Sequence, residues 1–278
     1  MLLRQVALTC ENQQVPISEL TRVSAALQKQ VTDDFSPLWG VQATVDAFPT
    51  LEDVPLGYLP VVIVDQVEEG AGVHSDDKGQ PFALVEFGKS WSLTASHETL
   101  EMLADPSGNR LVAGPSPDPE GPSKVEFLVE VCDPCEAEQY AYLVNGVLVS
   151  DFYTPDYFDP QDSNASRYSF KGSLTAPRQV LPGGYLSWHD PVTDHWFQEL
   201  FLEGDNPTFK DLGVLNQNGS SLRSMIDGLT PPSRKLSHLP ARSSVLKSAV
   251  RAGGAMDKAA RARASRLRAQ IAEILKKP

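Results

Sequence analysis

Apolar positions recur along this chain in two rhythms, alternating over short runs and stepping by three and four over longer ones. Residues 3–9 alternate weakly and predict a first strand. Ile17, Leu20, Val23, Leu27 and Val31 then follow helical spacing, which predicts an amphipathic helix over about 17–32. Trp39 to Phe48 has the β-branched content of a strand, and Tyr58 to Asp65 is a short, almost wholly apolar run between turn residues. Such a run suits a central strand covered on both faces. Gly70 to Gln80 is polar and glycine-containing and is read as a loop, before a strand at Phe82 to Phe87. Leu93, Ser96, Leu100 and Leu103 then give the apolar stripe of a second helix, with Ser92 as its N-cap and Asp105-Pro106 as its stop.

Beyond that helix, residues 107–124 are dense in Pro and Gly and predict a surface loop. Val125 to Glu136 reads as a strand ending in a turn, and Asn145-Gly146 sits as a hairpin turn between Tyr140 to Val144 and Val147 to Val149. Residues 150–175 carry six aromatics and read as an irregular cover. A second hairpin is expected over Gly183 to Gln198, turning near Asp190 to Asp194. From about 205 the strand pattern is lost. The order of elements predicts an α+β fold, a mixed β-sheet with helices packed on it, followed by β-hairpins and a C-terminal basic amphipathic helix. The expected division is a domain over 1–205, a linker over 206–243 and a basic helical tail over 244–278. Met256, Ala260, Ala264, Leu267, Ile271 and Ile274 form the narrow apolar stripe of that tail.

Charge separates the tail from the body. Residues 231–278 carry 12 Lys or Arg against two acids, whereas residues 1–230 carry 12 basic residues against 34 acids. Three readings of the tail follow: it binds a protein partner or another copy of the chain, it lies on the acidic body, or it contacts nucleic-acid phosphates. No aromatics interleave its charges, so base stacking is not indicated. No apolar run approaches the roughly 20 residues of a spanning helix, and the N-terminus lacks the apolar block of a secretory signal. A soluble, cytoplasmic protein is expected, with a virion-associated one as the variant, and no membrane partner. Cys10, Cys132 and Cys135 are too few for a disulfide framework, and Cys132-Asp-Pro-Cys135 has no second pair to close a zinc knuckle.

The chemistry concentrates in the second helix. His97 and Glu101 are four residues apart, so both side chains leave one face a turn apart, and Glu98 stands beside the histidine. Two ligands on one helix need a third from elsewhere. The acids after the loop are the pool, with Glu130 and Asp133 equal candidates and Glu136 behind them. Asp105 is read as capping the helix end. His189 and His195, flanking Trp188 and Trp196, read as packing residues, and His74 and His238 as loop residues without partners.

These two segments, Ser-His-Glu-Thr-Leu-Glu-Met-Leu-Ala-Asp-Pro (96–106) and Glu-Val-Cys-Asp-Pro-Cys-Glu (130–136), resemble a group of zincin-like proteins of bacteria and phages. These carry a His-Glu-x-x-Glu helix and a later Glu-x-x-Asp segment. The resemblance spans roughly residues 1–200 and implies an active-site helix under a mixed sheet. It also implies a Zn2+ ion on His97 and Glu101 and Glu98 as the base that works on its water, with a peptide or protein as substrate. Glu101 stands where peptidases of this kind have a second histidine, which makes the site more anionic. The strand at Phe82 to Phe87 is expected to align the peptide, and Tyr153 or Tyr157 to steady the oxyanion. The alternative is a catalytically silent zincin-like protein anchored to an assembly by its C-terminal helix.

Overall fold

The computed structural model describes residues 3–11, 14–67, 71–77, 79–159, 166–202, 204–216, 221–230 and 265–272. Its first sheet is built from β1 (Leu3–Cys10), β2 (Gln42–Ala47), β3 (Leu59–Val64), β4 (Gly72–Asp77) and β5 (Gln80–Glu86), in the order β2-β1-β3-β5-β4. The first four neighbours in that order run parallel, and β4 closes one edge antiparallel to β5. The apolar run of β3 does what its composition demands. Val61 and Ile63 enter the main core, and Val62 and Val64 a second core on the opposite face.

Three segments depart from the sequence reading here. The 70–80 stretch is not a loop, because residues 72–77 pair with β5 as a hairpin arm turning at Gly79, whose φ is +78°. The strand expected from Trp39 begins only at Gln42. Trp39 ends α2 (Ser36–Trp39), which the left-handed Gly40 terminates. The first helix, α1 (Ile17–Lys29), likewise runs on through a π-helical segment at Gln30–Phe35. The wider turn aims Gln30 inward, where it bonds the Ser150 carbonyl at 2.9 Å and accepts from Ser96 Oγ at 2.8 Å.

The central helix, α3 (Trp91–Ala104), is buried all round except at Ser92 and Thr94. Its expected apolar stripe is therefore only part of what it buries, and it has almost no solvent face. One side packs on β3, β4 and β5 and the other on the strand at Val147–Val149. The N-cap is Ser90 rather than Ser92, whose hydroxyl bonds the Leu148 carbonyl. Asp105 holds the end of the helix as expected, accepting from the Arg110 N–H at 2.6 Å.

The second sheet is antiparallel, in the order β12-β11-β10-β7-β6, from β6 (Leu111–Gly114), β7 (Val125–Leu128), β10 (Tyr185–Asp190), β11 (His195–Leu200) and β12 (Thr208–Gly213). The expected hairpin at Asn145-Gly146 forms as β8 (Tyr142–Val144) and β9 (Val147–Val149), with φ of +50° and +74° at the two turn residues. The strand expected over Val125 to Glu136 is shorter, because after Leu128 the chain leaves the ladder and turns at Asp133–Cys135. The aromatics of 150–175 are core rather than cover, with Phe152, Tyr153 and Tyr157 fully buried. The region read as linker contains β12 and α4 (Leu222–Asp227), whose N-cap Ser221 accepts from the Ser224 N–H. Most of the tail lies outside the described residues. Its residues 265–272 are helical and lie on the chain's own first sheet, with Leu267 and Ile271 in the second core and Arg268 paired to Glu11 and Glu52. Among the described residues no helix is long and apolar enough to cross a membrane.

One strand carries its own pH signal. Burial pushes the Glu199 carboxyl on β11 up to about 7 from the ordinary 4.5. The folded chain therefore holds a proton that the unfolded chain has released, so stability falls as pH rises through that window. Glu199→Gln should remove this slope. Melting temperature at pH 8 should rise by about 2–8 °C, the equivalent of roughly 1–3 kcal/mol, with no change near pH 4.

Candidate metal centre

Four remote segments meet at one dry point between the sheets. α3 brings His97, Glu98 and Glu101, which are 8, 2 and 0 % exposed. The turn after β7 brings Glu130 and Asp133, the edge strand β4 brings His74, and α4 brings Arg223. The convergence expected of His97, Glu101 and an acid from 130–136 is therefore present. His97 Nε2 lies 3.1 Å from Glu101 Oε2 and 3.3 Å from Asp133 Oδ1.

The two acids offered as third ligand are not equivalent. Asp133 turns Oδ1 to His97 and gives Oδ2 to Arg223 Nη1 at 2.5 Å. Glu130 instead faces Arg223, 3.2 Å from Nη1, and His74, 3.9 Å from Nε2. Two donors on a tetrahedral ion with bonds near 2.1 Å stand about 3.4 Å apart. The separations around His97 match that figure. Glu101 Oε2 and Asp133 Oδ1 are both buried without a hydrogen-bond partner, whereas Glu101 Oε1 accepts from the Cys132 N–H at 3.1 Å. Burying unpaired carboxylate oxygens is costly unless a cation takes them. Donor atoms of His97, Glu101 and Cys132, of His97, Asp133 and Glu136, of Glu101, Glu130 and Asp133, and of His74, Glu98 and Glu101 lie within 4.8 Å of one another in each set. The residues present fit a metal ion.

Electrostatics agree with a site built around positive charge. Burial alone would lower His97, but Glu101 and Asp133 hold it well above the ordinary imidazole range. Burial would likewise raise Glu101, yet His97 and Arg223 carry it below the carboxylate range. Glu130 and Asp133 both sit above their ordinary values, because burial outweighs Arg223. Burial also brings Asp227, 2.9 Å from the Arg223 Nε, to about 7. A metal ion held there would take the place of a proton on the His97 ring.

His74 and Arg223 are the site residues that sequence reasoning missed. His74 was assigned to a loop and is fully buried. Arg223 was placed in a linker and is 3 % exposed. Weak signals existed for both: the Lys78-Gly79 turn ahead of an apolar run, and the Ser221 cap before Leu222 and Ile226. The other expectations sort cleanly. Tyr157 donates to the Gln179 carbonyl, whereas the buried Tyr153 hydroxyl has no hydrogen-bond partner. β5 is flanked on both sides, so the edge that could pair with an extended peptide is β4. His189 and His195 bond Glu126, Asp194 and Asp211 on the second sheet. His238 lies outside the described residues. The three cysteines are buried and in no disulfide, and burial pushes both Cys132 and Cys135 well above the ordinary thiol range.

Two glycines allow this convergence. A Cβ on Gly72 would stand 2.5 Å from Glu98 Oε1 and from the Thr94 methyl, so only glycine lets β4 cross α3 so closely. A Cβ on Gly184 would meet the Asp133 and Pro134 carbonyl oxygens at 2.5 and 2.7 Å. Gly72→Ala should cost about 1–3 kcal/mol in denaturant unfolding. Gly184→Ala should cost more, because its obstacle is backbone rather than the end of a side chain.

Compared with models of protein families, with characterised proteins and with solved structures, the chain matches none.

Proposed function

We propose that the chain is a zinc-dependent metallopeptidase-like protein of zincin type, with His97, Glu101 and Asp133 as ligands. The carrying observation is the buried triangle of His97 Nε2, Glu101 Oε2 and Asp133 Oδ1, two of whose corners are buried oxygens without a hydrogen bond. The mixed sheet with an antiparallel edge strand over the metal-bearing helix supports the zincin comparison. A zinc ion held there would polarise the scissile carbonyl and acidify the attacking water.

The chain's own groups do the rest. Glu98, next to the first ligand and 2 % exposed, accepts a proton from the water and passes it to the leaving amine. Outward backbone groups of β4 pair with an extended peptide. The Tyr153 hydroxyl is the nearer candidate to steady the oxyanion, since the Tyr157 hydroxyl is committed to Gln179. Arg223 holds Asp133 from behind by its second oxygen, which leaves Oδ1 aimed at His97.

The test is Glu98→Gln. It should lower peptide hydrolysis by about 10²–10⁴-fold while the ion on His97, Glu101 and Asp133 is retained, counted by mass spectrometry as at least one zinc per chain. Zinc-loaded wild type that cleaves nothing in a broad peptide library would leave the second reading, a catalytically silent protein of the same shape. One contact favours that reading: Gln270 donates to the Asp76 carbonyl at 3.0 Å, on the edge a peptide would need. Tail residues seated on the sheet would in that case have to leave it to anchor a partner.

A further inference from the structure

His74 is the least explained side chain in the molecule. It is fully buried on β4, and neither ring nitrogen has a hydrogen-bond partner. A histidine packed into a core normally satisfies at least one nitrogen, because an unpaired buried polar group costs about 1–3 kcal/mol. Three carboxylates surround this one. Nδ1 lies 3.5 Å from Glu98 Oε2 and 3.7 Å from Glu101 Oε2, and Nε2 lies 3.9 Å from Glu130 Oε2. These separations exceed the roughly 2.7–3.2 Å of a hydrogen bond. They are near the spacing of donors that share a cation. The facing oxygens of Glu98, Glu101 and Glu130 are themselves buried and without hydrogen-bond partners.

We propose a second divalent cation site on His74 Nδ1, Glu98 and Glu101, beside the one assigned to His97, Glu101 and Asp133. It rests on the reading of the first site, and Glu101 is the ligand common to both. Arg223, the guanidinium in the cluster, contacts Glu101, Glu130, Asp133 and Asp227 and makes no ion pair with Glu98, so the Glu98 and Glu101 oxygens that face His74 leave room for a cation. One imidazole among carboxylates, with no thiolate in the set, selects a borderline or hard divalent ion such as zinc or manganese.

Filling this site has a chemical consequence. A cation on Glu98 Oε2 takes up the lone pair that would accept the water's proton. The two-ion form is therefore the slower hydrolase, and excess zinc or manganese inhibits.

The experiment titrates full-length, chelator-treated protein with Zn2+ and with Mn2+, counting bound ions by mass spectrometry and calorimetry. Wild type should bind two ions, and His74→Ala and His97→Ala one each. His74→Ala should weaken the second event by at least about a hundredfold, more than the loss of a supporting residue behind a ligand. One ion in wild type, unchanged in His74→Ala and lost in His97→Ala, would overturn the second site and leave the first standing. Unchanged stoichiometry in His97→Ala would instead overturn the first. Should His74→Ala fail to fold, zinc-edge anomalous scattering from wild-type crystals decides: a peak within bonding distance of the His74 ring is expected, and its absence at saturating zinc sinks the proposal.

Discussion

Replacing Arg223 by methionine should lower the stability of the metal-free protein by about 3–5 kcal/mol, the range for removing one partner of a buried ion pair. The guanidinium contacts Asp133 at 2.5 Å, Asp227 at 2.9 Å, Glu130 at 3.2 Å and Glu101 at 3.6 Å, and is itself 3 % exposed. Methionine fills much of the volume but leaves those carboxylates facing one another without a countercharge. A chain of this size should lose on the order of 10 °C in melting temperature. Zinc should then raise the melting temperature of the variant more than that of wild type, because the ion takes over part of the lost charge. Arg223→Lys should recover only part of the loss, since an ammonium cannot fork between acids. Scanning calorimetry with and without zinc checks all three, and a loss below about 1 kcal/mol would mean that the cluster is already neutral by protonation.

The second large effect separates the two acids that the sequence left equal. Asp133→Asn should weaken zinc binding at the His97 site by more than about a hundredfold, whereas Glu130→Gln should cost that site about tenfold, the effect of a supporting residue. The reason is positional. Asp133 Oδ1 stands 3.3 Å from His97 Nε2 with no other partner, while Glu130 faces Arg223 and His74. Competition against a chromophoric chelator gives both constants. Equal losses for the two variants would move the metal toward Glu130 and remove the geometric basis of the assignment.

What could be read in advance followed from local chemistry. The Asn145-Gly146 turn, the apolar run of β3 and the one-turn spacing of His97 and Glu101 are each fixed by a few neighbouring residues, and each forms as expected. The failures share a different cause. β4 has one large apolar residue, Val73, and its chemistry lies in Gly72 and His74, whose roles appear only once α3 crosses them. α4 is six residues long, too short for periodicity to speak, and its purpose is set by an arginine whose partners lie about ninety residues earlier. Choosing between Glu130 and Asp133 likewise needed the turn at Asp133–Cys135, which ends the expected strand early. The tail's stripe was legible, but not that Leu267 and Ile271 would be spent on the chain's own sheet.

That the residues of this cluster come from strand, helix, turn and a late helix bears on when a metal site could be complete. During synthesis, a chain that has emerged only as far as α3 already holds the first sheet with His74, and His97, Glu98 and Glu101 on the helix packed against it, but not the acid that completes the His97 site. Asp133 arrives later, and Arg223 only after the second sheet has been made. A complete His97 site should therefore form only once the second sheet has begun, so any loading of that site would follow maturation rather than guide it.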